Sequence, residues 1–236
     1  MRIDKFLANM GLGTRKEVKQ LIKAKAVTVD GTFVKDSGYS INPETADVRV
    51  YDEKIVYKPT IYLMLNKPPG VISATEDHKD QTVMDLLADD VRHYDLHPVG
   101  RLDKDTVGLL LLTNDGDLTH QLLSPKKKVP KKYFAHIDGV VTDEDVKAFS
   151  EGVEIGEGYI TKPGELIILE SAPMSKIELI ITEGKFHQVK RMFEAVDKKV
   201  VFLKRLQMGT LLLDETLAEG DYRELTVEEL ENLRAK

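Results

Sequence analysis

Four consecutive leucines, Leu109 to Leu112, mark a buried strand or core segment within the stretch GRLDKDTVGLLLLTNDG at residues 100–116. Arg101, Asp103, Lys104 and Asp105 crowd the five residues that begin one position into this stretch. Carboxylates so close to a core meet a low dielectric and need partners to remain ionised. The stretch is either a charged turn that happens to precede a strand, or a site.

Composition narrows the choice. A chain of 236 residues, 42% hydrophobic and 31% charged, fits a soluble globular protein of one large domain or of a small and a larger one. No apolar run has the length of a membrane helix, and the charged N-terminus MRIDKFLANMG does not read as a signal peptide. There are no cysteines, so disulfides, thiolate metal sites and cysteine nucleophiles are excluded. A cytoplasmic location without membrane association is expected. The formal net charge of −6 conceals an asymmetry: residues 1–35 carry eight Lys/Arg against three Asp/Glu. A basic segment on an acidic chain points to a polyanionic partner for that segment.

That segment reads as a compact module. Ile3, Phe6, Leu7 and Met10 have helical spacing and stop at Gly11 and Gly13. Thr14 and Glu17 form a capping-box pattern opening a second helix, with Val18, Leu21 and Ile22 on one face. Arg15, Lys16 and Lys19 then fall on its outer surface as candidate phosphate contacts. AVTVDGTFV, with Asp30-Gly31 at its centre, is a hairpin signal. A solvated charged face would look the same on charge alone. Further along, strands are expected at 61–66, 109–113, 132–138, 165–170, 176–182 and 199–206, and helices at 82–88, 117–123, 143–151, 187–196 and 227–234. Their irregular order favours an α+β domain around a mixed, largely antiparallel sheet. The six histidines show no metal-ligand spacing, and no phosphate-binding loop or serine elbow occurs. No metal site is expected.

Two further basic stretches carry planar side chains among their charges, as an RNA strand requires. KKKVPKKYFAHIDG places Lys131 beside Tyr133, and TEGKFHQVKRMFEAV carries His187, Lys190 and Arg191.

RIDKFLANMGLGTRKEVKQLIKAKAVTVDG resembles the small RNA-binding module named after ribosomal protein S-four. PVGRLDKDTVGLLLLTNDG, the following KKY and EGKFHQVKRMFEAV resemble the RNA pseudouridine synthases, in the branch that carries such a module and modifies ribosomal RNA. SPKKKVPKKY and ITKP are more similar to its small-subunit (16S) members than to the large-subunit (23S) ones. The resemblance implies an RNA-binding domain at residues 1–58 and a catalytic domain at 59–236. It implies isomerisation of one uridine, uridine 516 in the 16S numbering, with no cofactor, and ribosomal RNA as partner of a monomer. Asp103 is implied as the catalytic carboxylate, Lys190 as its cation and Tyr133 as the base-stacking residue. Arg101 is implied to fill the gap left by a flipped nucleotide, and Leu203 to wall the pocket. Asp105 is read as structural. The sequence departs from the family at Asp197-Lys198-Lys199, where a glycine is usual, which puts the following turn in question.

Overall fold

The computed structural model describes residues 1–235. Contacts divide the chain into two compact units: Met1–Ile61 with Leu87–Asp95, and Tyr62–Leu86 with the chain from Leu96 onward. In the first, α1 (Ile3–Asn9) and α2 (Arg15–Lys23) pack on a four-stranded antiparallel sheet. Its strands are β1 (Val27–Val29), β2 (Thr32–Phe33), β3 (Val48–Val50) and β4 (Glu53–Lys54), in the order β2-β1-β3-β4. The capping box forms: Thr14 Oγ1 accepts from the Glu17 amide, and Glu17 Oε2 accepts from the Thr14 amide at 2.7 Å. Ile3, Phe6, Leu7, Val18 and Ile22 close the core against Val27, Val29, Val48 and Val50. This one-sided burial leaves Arg15, Lys16 and Lys19 exposed. The β1–β2 turn places Asp30 and Gly31 in the left-handed region, at φ 49° and 79°, as its tight geometry demands. Residues 87–95, built around α3 (Asp89–Arg92), group with this unit rather than with their neighbours in sequence.

The second unit is a nine-stranded mixed sheet. Its strands are β5 (Tyr62–Lys67), β6 (His97–Pro98), β7 (Val107–Thr113), β8 (Lys131–Asp138), β9 (Glu165–Glu170), β10 (Met174–Ile181), β11 (Lys199–Met208), β12 (Leu211–Leu212) and β13 (Tyr222–Glu224). The main path runs β13-β5-β7-β11-β8-β10-β9, with β6 beside β7 and β12 beside β11. Among the strands of the described residues only β7 and β11 pair in parallel, so the sheet is largely antiparallel, as expected. The six strands expected from sequence are all present, joined by the short β6, β12 and β13. Helices α4 (Gly116–Leu123), α5 (Asp143–Glu151), α6 (Gln188–Glu194) and α7 (Val227–Arg234) occupy the expected positions, while 82–88 is only a 3-10 turn at Val83–Leu86. Both α5 and α7 start with capping boxes, formed by Thr142 with Asp145 and by Thr226 with Glu229.

The leucine run is β7, and all of it is buried. Alternation sends Leu109 and Leu111 to a cluster with Leu118 and Leu122 of α4 and Leu233 of α7, and Leu110 and Leu112 to the opposite face. Gly108 permits the close pairing of β7 and β11. Its φ is 101°, and a Cβ there would lie 2.3 Å from the Arg205 carbonyl oxygen.

The turn that sequence left in question closes with Asp197 in the glycine position. Its φ is 57°, its amide donates to the Glu194 carbonyl, and the Lys198 amide donates to the Phe193 carbonyl at 2.9 Å. These two bonds are a Schellman stop, in which the left-handed residue is ordinarily glycine. Asp197→Gly should relieve the left-handed strain and lose part of that gain to a more flexible unfolded chain, a net stabilisation of about 0.5–1 kcal/mol. A thermal melt should move up by about 2 °C. A lower midpoint would show that the Asp197 side chain itself contributes.

Candidate active site

Asp103 sits in the loop before β7, and that loop is held by its backbone. Ser73 Oγ accepts from the Leu102 amide at 2.9 Å and donates to the Leu102 carbonyl at 3.0 Å. The Gly70 amide donates to the Lys104 carbonyl, and the Thr106 amide to that of Asp103. Beneath them Lys67, the last residue of β5, is fully buried with no carboxylate bonded to it. Its Nζ donates instead to the carbonyls of Pro68, Lys104 and Thr106, at 3.0, 3.3 and 2.8 Å. Burial pushes its pKa down to about 8, against the opposing pull of Asp105 and Asp103. Lys67 is thus a fixed cation that shapes the turn from below.

Above the loop, α6 supplies the partner. Lys190 Nζ lies 3.0 Å from Asp103 Oδ2 and 2.7 Å from Asp105 Oδ1, and His187 Nε2 lies 3.5 Å from Asp103 Oδ1. The side chains of Asp103 and Lys190 are only 27% and 20% exposed, against 74% for Asp105. Burial pulls the Lys190 pKa down, but its hydrogen bonds to Asp105 and Asp103 outweigh this and hold it above the usual lysine value. For Asp105, desolvation raises the carboxyl pKa and Lys190 more than reverses that. Asp105 is therefore a second acid on the same ammonium. In an extended segment residues two apart would diverge; the turn at 103–106 brings both carboxylates to one side.

Tyr133 and Leu203 complete the pocket. They are buried on β8 and β11, and together with Leu102, Thr106, Ile181 and Val189 they wall the cavity into which Asp103 faces. Arg101, Lys185 and His187 stand at its lining, and Arg101 is exposed. Thus Asp103, Tyr133, Lys190, Leu203, Arg101 and His187 converge on one cavity. Arg191 is half-buried on α6, its Nη1 donating to the Phe186 carbonyl.

Lys131 requires a correction. It is 8% exposed, its Nζ donates to the Val129 carbonyl, and burial together with the nearby Arg205 lowers its pKa. It is no surface contact for a phosphate. The two-residue period of β8 puts it on the same inward face as Tyr133, a signal the sequence already carried.

Sequence reading also missed the support of the 183–188 turn. Glu183 is buried and accepts from the Tyr159 hydroxyl at 2.6 Å, the Lys162 amide at 2.8 Å and Gln188 Nε2 at 3.0 Å. Desolvation raises its pKa, and these donors more than offset that. Gln188 in turn accepts from the Lys185 amide. The pair fixes the turn from which His187, at φ 50°, enters α6.

The chain is thus an α+β protein whose mixed sheet carries a candidate catalytic pocket, with the lysine-paired Asp103 facing an aromatic and an aliphatic wall. Residues 61–195 match the family model described as RNA pseudouridylate synthase, and residues 1–46 match the S4 domain. An uncharacterized RNA pseudouridine synthase of Bacillus subtilis (strain 168) is 54% identical over 231 residues, covering 98% of this chain and 97% of that one. The ribosomal small subunit pseudouridine synthase A of Vibrio cholerae is 42% identical over 234 residues, covering 99% of each chain. A solved structure titled as a pseudouridylate synthase superposes with a TM-score of 0.69 at 37% identity, covering 99% of both chains. The chain belongs to the RNA pseudouridine synthase family and is an isomerase that converts uridine to pseudouridine.

Proposed function

We propose that this enzyme isomerises a single uridine of small-subunit (16S) ribosomal RNA, uridine 516, with Asp103 as the catalytic carboxylate. The observation that carries the mechanism is the Asp103–Lys190 pair at 3.0 Å, at a pocket walled by Tyr133 and Leu203. Small-subunit specificity rests on those relatives that are named for that subunit, such as the Vibrio cholerae enzyme, and that match from end to end.

The reaction breaks the bond between the ribose anomeric carbon and uracil nitrogen 1, turns the base, and rejoins the sugar to carbon 5. The carbon-5 proton is lost and nitrogen 1 gains one, so mass is conserved. An ionised Asp103 serves as nucleophile or as base at the sugar, and Lys190 keeps a counter-charge beside it in a partly buried site. Tyr133 offers a ring to the uracil and a hydroxyl near carbon 5. The uridine must leave its stack to enter, and Arg101 is positioned to occupy the vacated space. His187 lines the same opening.

Carbodiimide labelling and primer extension on rRNA from cells lacking the gene test the reading. A missing stop in 16S rRNA, restored by the wild-type gene, is expected. A change in 23S rRNA instead would transfer the assignment to the large subunit, and no change in either would remove the rRNA reading.

The first unit is proposed to hold the rRNA through the outer face of α2. Replacing Arg15, Lys16 and Lys19 together with alanine should lower the slope of log K against log salt by about 2.1–2.7, at roughly 0.7–0.9 per phosphate contact. The folded unit should be unaffected, because all three side chains are exposed. An unchanged slope in a binding titration would assign this face to another partner.

A further inference from the structure

We propose that Phe186 is a stacking platform for an unpaired nucleobase that flanks the target uridine in the same RNA strand. This rests on the rRNA reading above and adds to it a second base-binding position outside the uridine pocket.

Phe186 is 70% exposed, more than Phe33, Tyr39 or Tyr51, the other exposed aromatic rings among the described residues. A single exposed apolar side chain is ordinarily unremarkable. This one differs in being held in place. Its ring lies on the His187 imidazole, centroids 3.8 Å apart and planes within 16°. Its carbonyl is fixed by Arg191 Nη1 at 3.2 Å. The turn beneath is tied by the Lys185 amide to Gln188 Oε1 at 2.8 Å and by the Gln188 amide to the Lys185 carbonyl at 3.1 Å. His187 takes a left-handed conformation, uncommon for a residue with a side chain. The outcome is a rigid ring with one face covered by His187.

Position and charge choose the occupant. The covering imidazole is itself 3.5 Å from Asp103 Oδ1, so Phe186 stands one ring beyond the residues that line the pocket. When a uridine is drawn into that pocket, its neighbour loses a stacking partner, and an aromatic ring at the opening replaces it. Gly184, Lys185, His187 and Arg191 surround Phe186 in sequence and space, and none offers an apolar surface continuous with it. Lys185 lies over the Tyr159 ring at 4.6 Å. A protein helix with an apolar face would find one ring among cations. A nucleotide finds a π-face for its base and cations for its phosphates.

The test is an equilibrium-binding and single-turnover comparison on a small-subunit rRNA fragment that the wild-type enzyme modifies. Wild type, Phe186→Leu and Phe186→Trp are compared on the intact fragment. They are compared again on fragments carrying one abasic nucleotide at each of the three positions on either side of the target. Phe186→Leu is expected to weaken binding by roughly 5- to 100-fold on the intact RNA, and Phe186→Trp to bind like the wild type. At one flanking position the abasic RNA should bind wild type and Phe186→Leu equally weakly. A leucine penalty that is absent, or that persists unchanged at all six abasic positions, overturns the proposal. Absence of pseudouridine formation by the wild type on any such rRNA defeats the rRNA reading instead, and the two failures are distinct.

Discussion

Asp103→Asn is expected to lower the single-turnover rate at saturating RNA by at least roughly a thousandfold, while leaving RNA affinity within about threefold of wild type. The substitution removes the charge and little else. Backbone contacts from Ser73 and Lys67 shape the loop, and none of them involves the Asp103 carboxylate. Asp105 still holds Lys190 at 2.7 Å, so the cation stays in place. A loss confined to turnover therefore reports chemistry rather than folding. Tritium release from carbon-5-labelled RNA measures it, and residual activity above a few per cent would remove Asp103 from the role of catalytic carboxylate.

Lys190→Met should be nearly as inactive at saturation, for a different reason. One ammonium is shared by Asp103 and Asp105, and without it two carboxylates share one side of a turn without their common partner. The Asp105 carboxyl then loses the ammonium that holds its pKa down and takes up a proton at higher pH. Lys190→Arg keeps the charge but brings a planar fork to a place built for a point charge, and partial activity is expected. Asp105→Asn leaves the Asp103 contact intact and should cost far less than either Asp103→Asn or Lys190→Met. A Met variant with the wild-type single-turnover rate and a reduced salt slope would make Lys190 a phosphate contact instead.

What could be read from the sequence was whatever depends on local order. Thr14 announced its helix because a capping box joins residues only three apart. The leucines of β7 announced the centre of the sheet because burial on both faces leaves no polar alternation. The pocket residues Asp103, Tyr133, Lys190 and Leu203 came from family motifs, and no periodicity would have joined them. The roles of Lys67 and Asp105 were hidden because each depends on a turn returning across a strand end. Glu183 was hidden because its donors, Tyr159 and Lys162, lie more than twenty residues away. Lys131 was misplaced by a composition argument, a lysine run, where the alternation of β8 should have prevailed. The segment around α3 gave no warning that it would join the first unit, since a four-residue helix has almost no periodicity to display.

The buried grip of Lys67 on the Asp103 loop has a thermodynamic consequence. Ordering a free loop costs about 1–2 kcal/mol per residue, and an enzyme that met its substrate with such a loop would bear that cost at every encounter. Here the carbonyls of Lys104 and Thr106 are tied to an ammonium belonging to a strand of the sheet itself. The entropy is surrendered once, when the chain folds. Amide exchange around Asp103 should accordingly belong to the slow class that opens only with the sheet, and RNA binding should leave it unchanged.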